Sequence, residues 1–181
     1  MVYLFLANGF EEIEALTPVD VLRRAGVDVK TVSIGDSINV LGAHGIEVKA
    51  DMMLSDCDTE DAEMIILPGG SEGTKNLGDC QRIQEIIRAA VDSGIYVAAI
   101  CAAPTILAKM GLLTGLKATC YPSLASVLAD CKVKYKSDKV VCDKYFITSM
   151  GAGTSGEFAF TLVDKLLTKS ESDSLRIAMV Y

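Results

Sequence analysis

The chain has 181 residues, half of them hydrophobic, with 17 Lys or Arg against 24 Asp or Glu and a formal net charge of −7. A chain of this length buries roughly 70% of its unfolded surface without disulfide or metal staples, so residues 1–181 are expected to form one domain. The acidic balance and the lack of a Lys/Arg-rich run argue against nucleic acid or an anionic membrane as partner.

Met1 leads straight into Val2-Tyr3-Leu4-Phe5-Leu6-Ala7. This run lacks a basic flank and is too short for a signal segment or a membrane span, so it is read as a buried strand of a cytoplasmic protein. A helix is predicted over Phe10–Ala25, with Thr17-Pro18 as a point where it kinks or restarts, because proline suits a first helical position. A strand at Asp28–Ile34 follows, then hairpin-like pieces near Asn39–Ala50, a strand at Met64–Leu67, a helix at Asp79–Ser93 and a strand at Tyr96–Ile100. The remainder reads as a helix at Ala102–Met110, a strand at Ala118–Tyr121, a helix at Ser123–Ala129, hairpin-like pieces near Lys132–Val141, a strand at Tyr145–Thr148 and a helix at Ser155–Leu167. Gly26, Gly94 and Gly111 each follow a helical run where a left-handed residue ends a helix. Short β-branched runs alternating with amphipathic helices predict a mainly parallel sheet covered on both faces.

In such a sheet, ligands sit beyond the carboxyl ends of the strands. Three segments meet that description: Asn8–Glu14, Pro68–Gly73 and Cys101–Pro104. Cys101 follows an apolar strand without a break and precedes a helix, so the turn must be sharp, as in a nucleophile elbow. The helix terminus and the amides of Ala102 and Ala103 favour a lowered thiolate pKa. An arbitrary cysteine is a small buried hydrophobe; its place at a strand-to-helix turn makes Cys101 a candidate nucleophile.

Pro68-Gly69-Gly70 alone reads as an ordinary strand-exit turn. Beside Cys101, its N–H groups could stabilise an oxyanion. Glu11 and Glu12 are accounted for by the preference for carboxylates at a helix start on a solvated face. Glu14, one turn after Glu11, is free to point toward Cys101, where burial and like charge would raise its pKa and let it donate a proton.

The six cysteines (57, 80, 101, 120, 131 and 142) contain no C-x-x-C pair and His44 is the only histidine, so no metal site is expected. In a reducing compartment most cysteines would be free thiols. His44 sits in a Gly42-Ala43-His44-Gly45 turn and is either a surface residue or the one imidazole available to a Cys/His pair. The lack of a histidine next to Cys101 makes a cysteine protease the weakest reading.

Asn8-Gly9-Phe10-Glu11-Glu12-Ile13-Glu14, Pro18 through Gly26, Leu67-Pro68-Gly69-Gly70, Ala98 through Pro104 and Gly151-Ala152-Gly153-Thr154-Ser155, taken together, resemble the ThiJ/PfpI superfamily, in the branch of the parkinsonism-associated deglycase and its bacterial relatives. The resemblance implies a flavodoxin-like α/β/α sandwich forming homodimers, with the reactive cysteine near the interface. It implies Cys101 as nucleophile and oxidation-sensitive thiol, Glu14 as the protonated carboxyl bonded to it, and the amides of Gly70 and Ala102 as the oxyanion site, with Gly69, Tyr121 and His44 as possible auxiliaries. The chain departs from the branch where Tyr121 replaces a histidine, where His44 aligns with an interface arginine and where Lys49 aligns with a peripheral cysteine. His44 of a partner subunit is therefore one possible contributor to the site.

The leading expectation is a cofactor-independent glyoxalase or deglycase acting on 2-oxoaldehydes of the methylglyoxal class, or on glycated groups, through the Cys101 thiolate. The alternative is an oxidative-stress sensor or chaperone-like protective protein that uses oxidation of the same cysteine.

Overall fold

The chain enters through a buried apolar strand, β1 (Val2–Leu6), and crosses through α1 (Glu12–Arg24) to β2 (Val29–Ser33). The computed structural model describes all 181 residues. A small antiparallel hairpin, β3 (Asn39–Leu41) with β4 (Glu47–Lys49), follows, and β5 (Met52–Met53) leads to β6 (Met64–Leu67). Next come α2 (Ser71–Asp79), α3 (Gln81–Asp92), β7 (Tyr96–Ile100) and α4 (Pro104–Lys109). The last third holds β8 (Lys117–Ala118), α5 (Ala125–Asp130), β9 (Lys134–Tyr135), β10 (Val140–Asp143), β11 (Phe146–Ser149), α6 (Ser155–Leu166) and α7 (Lys169–Ala178).

Seven strands form the main sheet in the order β10-β11-β7-β6-β1-β2-β5, and only β10 runs antiparallel to its neighbour. Without the edge strands β5 and β10, the parallel strands stand in the order 2-1-3-4-5. This is the flavodoxin-like winding, with its switch point between β1 and β6.

Alternation along each strand divides the core in two. Tyr3, Phe5, Ile65, Leu67, Val97 and Ala99 pack with residues of α2, α3, α4 and α5 on one face. Val2, Leu4, Leu6, Met64, Ile66, Ala98 and Ile100 pack with α1 and α6 on the other. The expected three-layer α/β/α sandwich is therefore observed, and Gly26, Gly94 and Gly111 have the expected positive φ of 78°, 71° and 78°.

Four local readings are corrected. α1 runs unbroken through Pro18 instead of restarting there; Val19, Val21 and Leu22 are buried in the same core as Phe158 and Leu162 of α6, and this packing holds the helix across the missing N–H. The predicted strand Ala118–Tyr121 forms only β8, outside the main sheet and paired with β9. The pieces near Lys132–Val141 therefore do not form a hairpin with each other: β9 goes to β8 and β10 to β11. α2, α7 and the two-residue β5 lie in stretches for which no element was predicted.

Candidate active site

β7 delivers its last apolar residue, Ile100, into the sheet, and the chain then turns sharply at Cys101, whose φ of 65° is left-handed. A non-glycine residue in that region is strained and is held there by its surroundings. The Cys101 amide donates to Ser149 O at 2.9 Å, and its carbonyl accepts from the Tyr121 amide at 2.8 Å. Both neighbours of the turn thus pin the elbow, and the Cys101 side chain remains partly accessible.

Glu14 comes to the same place from α1. Its side chain faces the core side of the helix and is 1% exposed, whereas Ile13 beside it is 53% exposed. One carboxylate oxygen, Oε2, accepts from the Gly69 amide at 3.0 Å. The carboxyl also shares a hydrogen bond with Cys101 and lies against the Ala152 amide. Burial pushes Glu14 up to about 7. Burial, then the charge and hydrogen bond of Glu14, push the Cys101 thiol up to about 12, while the amides of Gly70 and Ala102 pull it down. Two acids this close share their titration, and the buried pocket accommodates one negative charge far more readily than two.

The expected lowering of the thiol by a helix terminus is not what the geometry supplies. α4 starts only at Pro104 and is six residues long, and the Ala103 amide is used within the turn, donating to Ile100 O at 3.1 Å. The local donors that favour the thiolate are the amides of Gly70 and Ala102.

Glycine is required at both positions of the Gly69-Gly70 pair. A Cβ on Gly69 would stand 2.4 Å from Glu14 Oε2 and 2.7 Å from Cys101 Cβ. One on Gly70, whose φ is +89°, would stand 2.2 Å from the carbonyl oxygen of Gly9. The turn after β6 thus lies against both Glu14 and Cys101 and the loop after β1. A fourth segment joins these three: a Cβ on Gly151, beyond β11, would stand 3.8 Å from Glu14 Oε1 and 3.9 Å from Cys101 Sγ.

A surface depression of about 550 Å³ opens beside Cys101, lined in part by Gly70, Ala102, Tyr121, Glu11 and His44. His44 thus reaches the rim from its own chain. Tyr121 is 50% exposed and contributes a wall of the opening.

Glu12 corrects the reading of a solvated helix start. It is 5% exposed and accepts from the His44 amide at 2.7 Å, and its Oε2 lies 2.9 Å from His44 Nδ1. The hydrogen bond to Glu12, aided by the charge of Glu11, raises the His44 imidazole pKa. Donors from the His44 ring and loop amides hold Glu12 below the ordinary carboxyl value against the opposing effect of its burial. Ligand atoms of Glu11, Glu12 and His44 lie within 4.8 Å of one another, the spacing of a cation site. The hydrogen bonds just described already use both oxygens of Glu12 to hold the loop between β3 and β4.

The DJ-1/PfpI family model matches residues 1–165. The chain belongs to the DJ-1/PfpI family. Among its relatives, protein DJ-1 homolog B of Arabidopsis thaliana is 40% identical over 92% of this chain, which spans only 38% of that protein. The glutathione-independent glyoxalase DJR-1.2 of Caenorhabditis elegans is 36% identical over 91% of this chain and 87% of its own length. An oxidized Toxoplasma gondii DJ-1 superposes with a TM-score of 0.94 at 32% identity, covering 99% of this chain and 97% of the other. α7 lies beyond the residues the family model covers.

Proposed function

We propose that this DJ-1/PfpI protein is a cofactor-independent glyoxalase or deglycase that acts on small 2-oxoaldehydes and the groups they glycate. The observation that carries the reading is the buried Glu14 carboxyl hydrogen-bonded to Cys101 at a strained elbow beside the Gly70 and Ala102 amides. The glyoxalase name of the nematode relative supports it.

In this reading the resting pair carries its one negative charge on Glu14, and the Glu14 carboxylate takes the Cys101 proton as Sγ attacks. The thiolate adds to the aldehyde carbon of methylglyoxal, and the carbonyl oxygen takes up the Glu14 proton to give a hemithioacetal. The Glu14 carboxylate then removes the proton on that carbon, an enediol forms, and a proton returns to the neighbouring carbon, leaving a thioester. Water cleaves the thioester to a 2-hydroxy acid and regenerates the thiol. The Gly70 and Ala102 amides stabilise the oxyanions along this path.

Cys101→Ala and Glu14→Gln are expected to lower lactate formation from methylglyoxal at least about a hundredfold, the usual scale for losing a nucleophile or proton shuttle. Full activity in either variant would overturn the mechanism. The reading also includes a homodimer, supported by the exposed apolar side chains Ile13 of α1 and Leu41 and Ile46 of the β3–β4 hairpin, at 53%, 49% and 54% exposure.

A redox reading of the same thiol is favoured by the oxidized state of the Toxoplasma homologue. Graded peroxide followed by intact mass and peptide mapping is then expected to give a two-oxygen adduct on Cys101. An adduct confined to the exposed Cys142 would count against it.

A further inference from the structure

A second cleft, about 470 Å³, lies on the other side of the Cys101 turn, between α2, α3 and α4. Lys75, Arg88 and Lys109 line it, one from each helix, with Asp79 as its one carboxylate. These three cations take part in none of the ion pairs of the molecule. In a chain of net charge −7 this is a local excess of positive charge facing one concavity. Its wall also includes Thr74, which is 8% exposed and whose buried hydroxyl oxygen has no hydrogen-bond partner. That oxygen is shut off from solvent, so what the cleft offers an anion is its three cations. The cleft and the Cys101 depression share Ser71, Ala102 and Leu124 as a common rim.

We propose that this cleft is an oxyanion subsite continuous with the Cys101 site, and that the carbonyl compounds the protein takes carry a phosphate monoester. Three cations against one carboxylate suit a dianion better than a carboxylate ligand, and the helical cations reach it from three directions. The carbonyl would lie at Cys101 and the phosphate between α2, α3 and α4. The second half of this assignment rests on the proposed carbonyl chemistry of Cys101; the anion site itself does not.

The test is an amide NMR titration of the full chain with inorganic phosphate, with acetate as the carboxylate arm, followed by protection of Cys101 from iodoacetamide. Phosphate is expected to shift the Thr74, Lys75 and Lys109 amides. Its affinity should weaken about tenfold or more in Arg88→Ala/Lys109→Ala and remain unchanged in Lys132→Ala, an exposed lysine away from the cleft. Glyceraldehyde 3-phosphate should protect Cys101 at lower concentration than glyceraldehyde, an advantage lost in the double variant. Phosphate shifts outside the cleft, or an affinity indifferent to the double variant, would overturn the subsite. Equal binding of acetate would overturn its assignment to phosphate, and equal protection by the two aldehydes would overturn its continuity with Cys101. Phosphate binding that persists while lactate formation is absent would sink the glyoxalase reading and leave the anion site standing.

Discussion

Glu14 shows what one position on a helix decides. Its oxygens meet the Gly69 amide and the Cys101 side chain, whereas Glu11 only lines the opening and Glu12 turns to His44. The raised carboxyl has a consequence for stability. Between the ordinary 4.5 and about 7 the folded chain holds a proton that the unfolded chain releases, so this contribution is full below about 4.5 and is lost as pH rises toward 7, by at most about 3 kcal/mol. Glu14→Gln cannot lose it. Urea denaturation is expected to show the variant gaining on wild type by about 1–3 kcal/mol between pH 4.5 and 7.5; a difference that stays flat would mean that Glu14 is ionised throughout. At this scale the sequence spoke unevenly. Glu14 was legible because helix spacing turns it away from Glu12 and because the motif around it is specific. Glu12 was not: a helix-start carboxylate looks the same whether it faces water or, as here, a loop from 32 residues away.

The elements place these residues by stopping early. β6 and β7 end at Leu67 and Ile100, and the turns after them, with no side chain at Gly69 or Gly70, let three backbones meet within van der Waals contact. Gly70→Ala is therefore expected to destabilise the fold by about 2 kcal/mol or more, since it combines a positive φ with a clash against the Gly9 carbonyl. Thermal denaturation checks this, and an unchanged Tm would show that the loop yields freely. Strands with unbroken apolar runs were legible to the residue, Met64–Leu67 and Tyr96–Ile100 among them. α2 was not, because Gly73 and Gly78 weaken its helical signal; Gly73 is there because Phe10 backbone lies 2.7 Å from where its Cβ would be. α7 carries one readable sign, the capping box of Thr168 and Glu171. Its mean composition is polar, so periodicity alone did not reveal it.

Across the molecule, the two cores bury both faces of the sheet and leave the strand ends as the place where chemistry-bearing side chains meet. No helix is long and apolar enough to cross a membrane. The exposed Ile13, Leu41 and Ile46 lie on α1 and the β3–β4 hairpin, and the Gly9 amide to Leu41 O and Ala43 amide to Phe10 O bonds, both 2.8 Å, tie that hairpin to the loop that leads into α1. Sedimentation is expected to give a dimer that Ile46→Glu shifts toward monomer, because a buried charge without a partner opposes association. A monomeric wild type would remove the dimer from the proposed function.

The alternation of the main parallel strands with α1, α3, α4 and α6, the strand-to-helix elbow at Cys101 and the motifs that carry Cys101 and Glu14 were accessible from the chain itself. Each depends on residues close in sequence or on a motif that repeats as a block. Tertiary structure alone decided that the thiol is raised by burial and by Glu14, not lowered by a helix. It also decided that His44 lines the site from its own chain and that three lysine and arginine side chains from separate helices face one cleft. Burial and charge at a point are sums over everything packed around it, and the neighbours that set them here come from segments well over a hundred residues apart, Glu14 and Ala152 among them, whose approach no local pattern encodes.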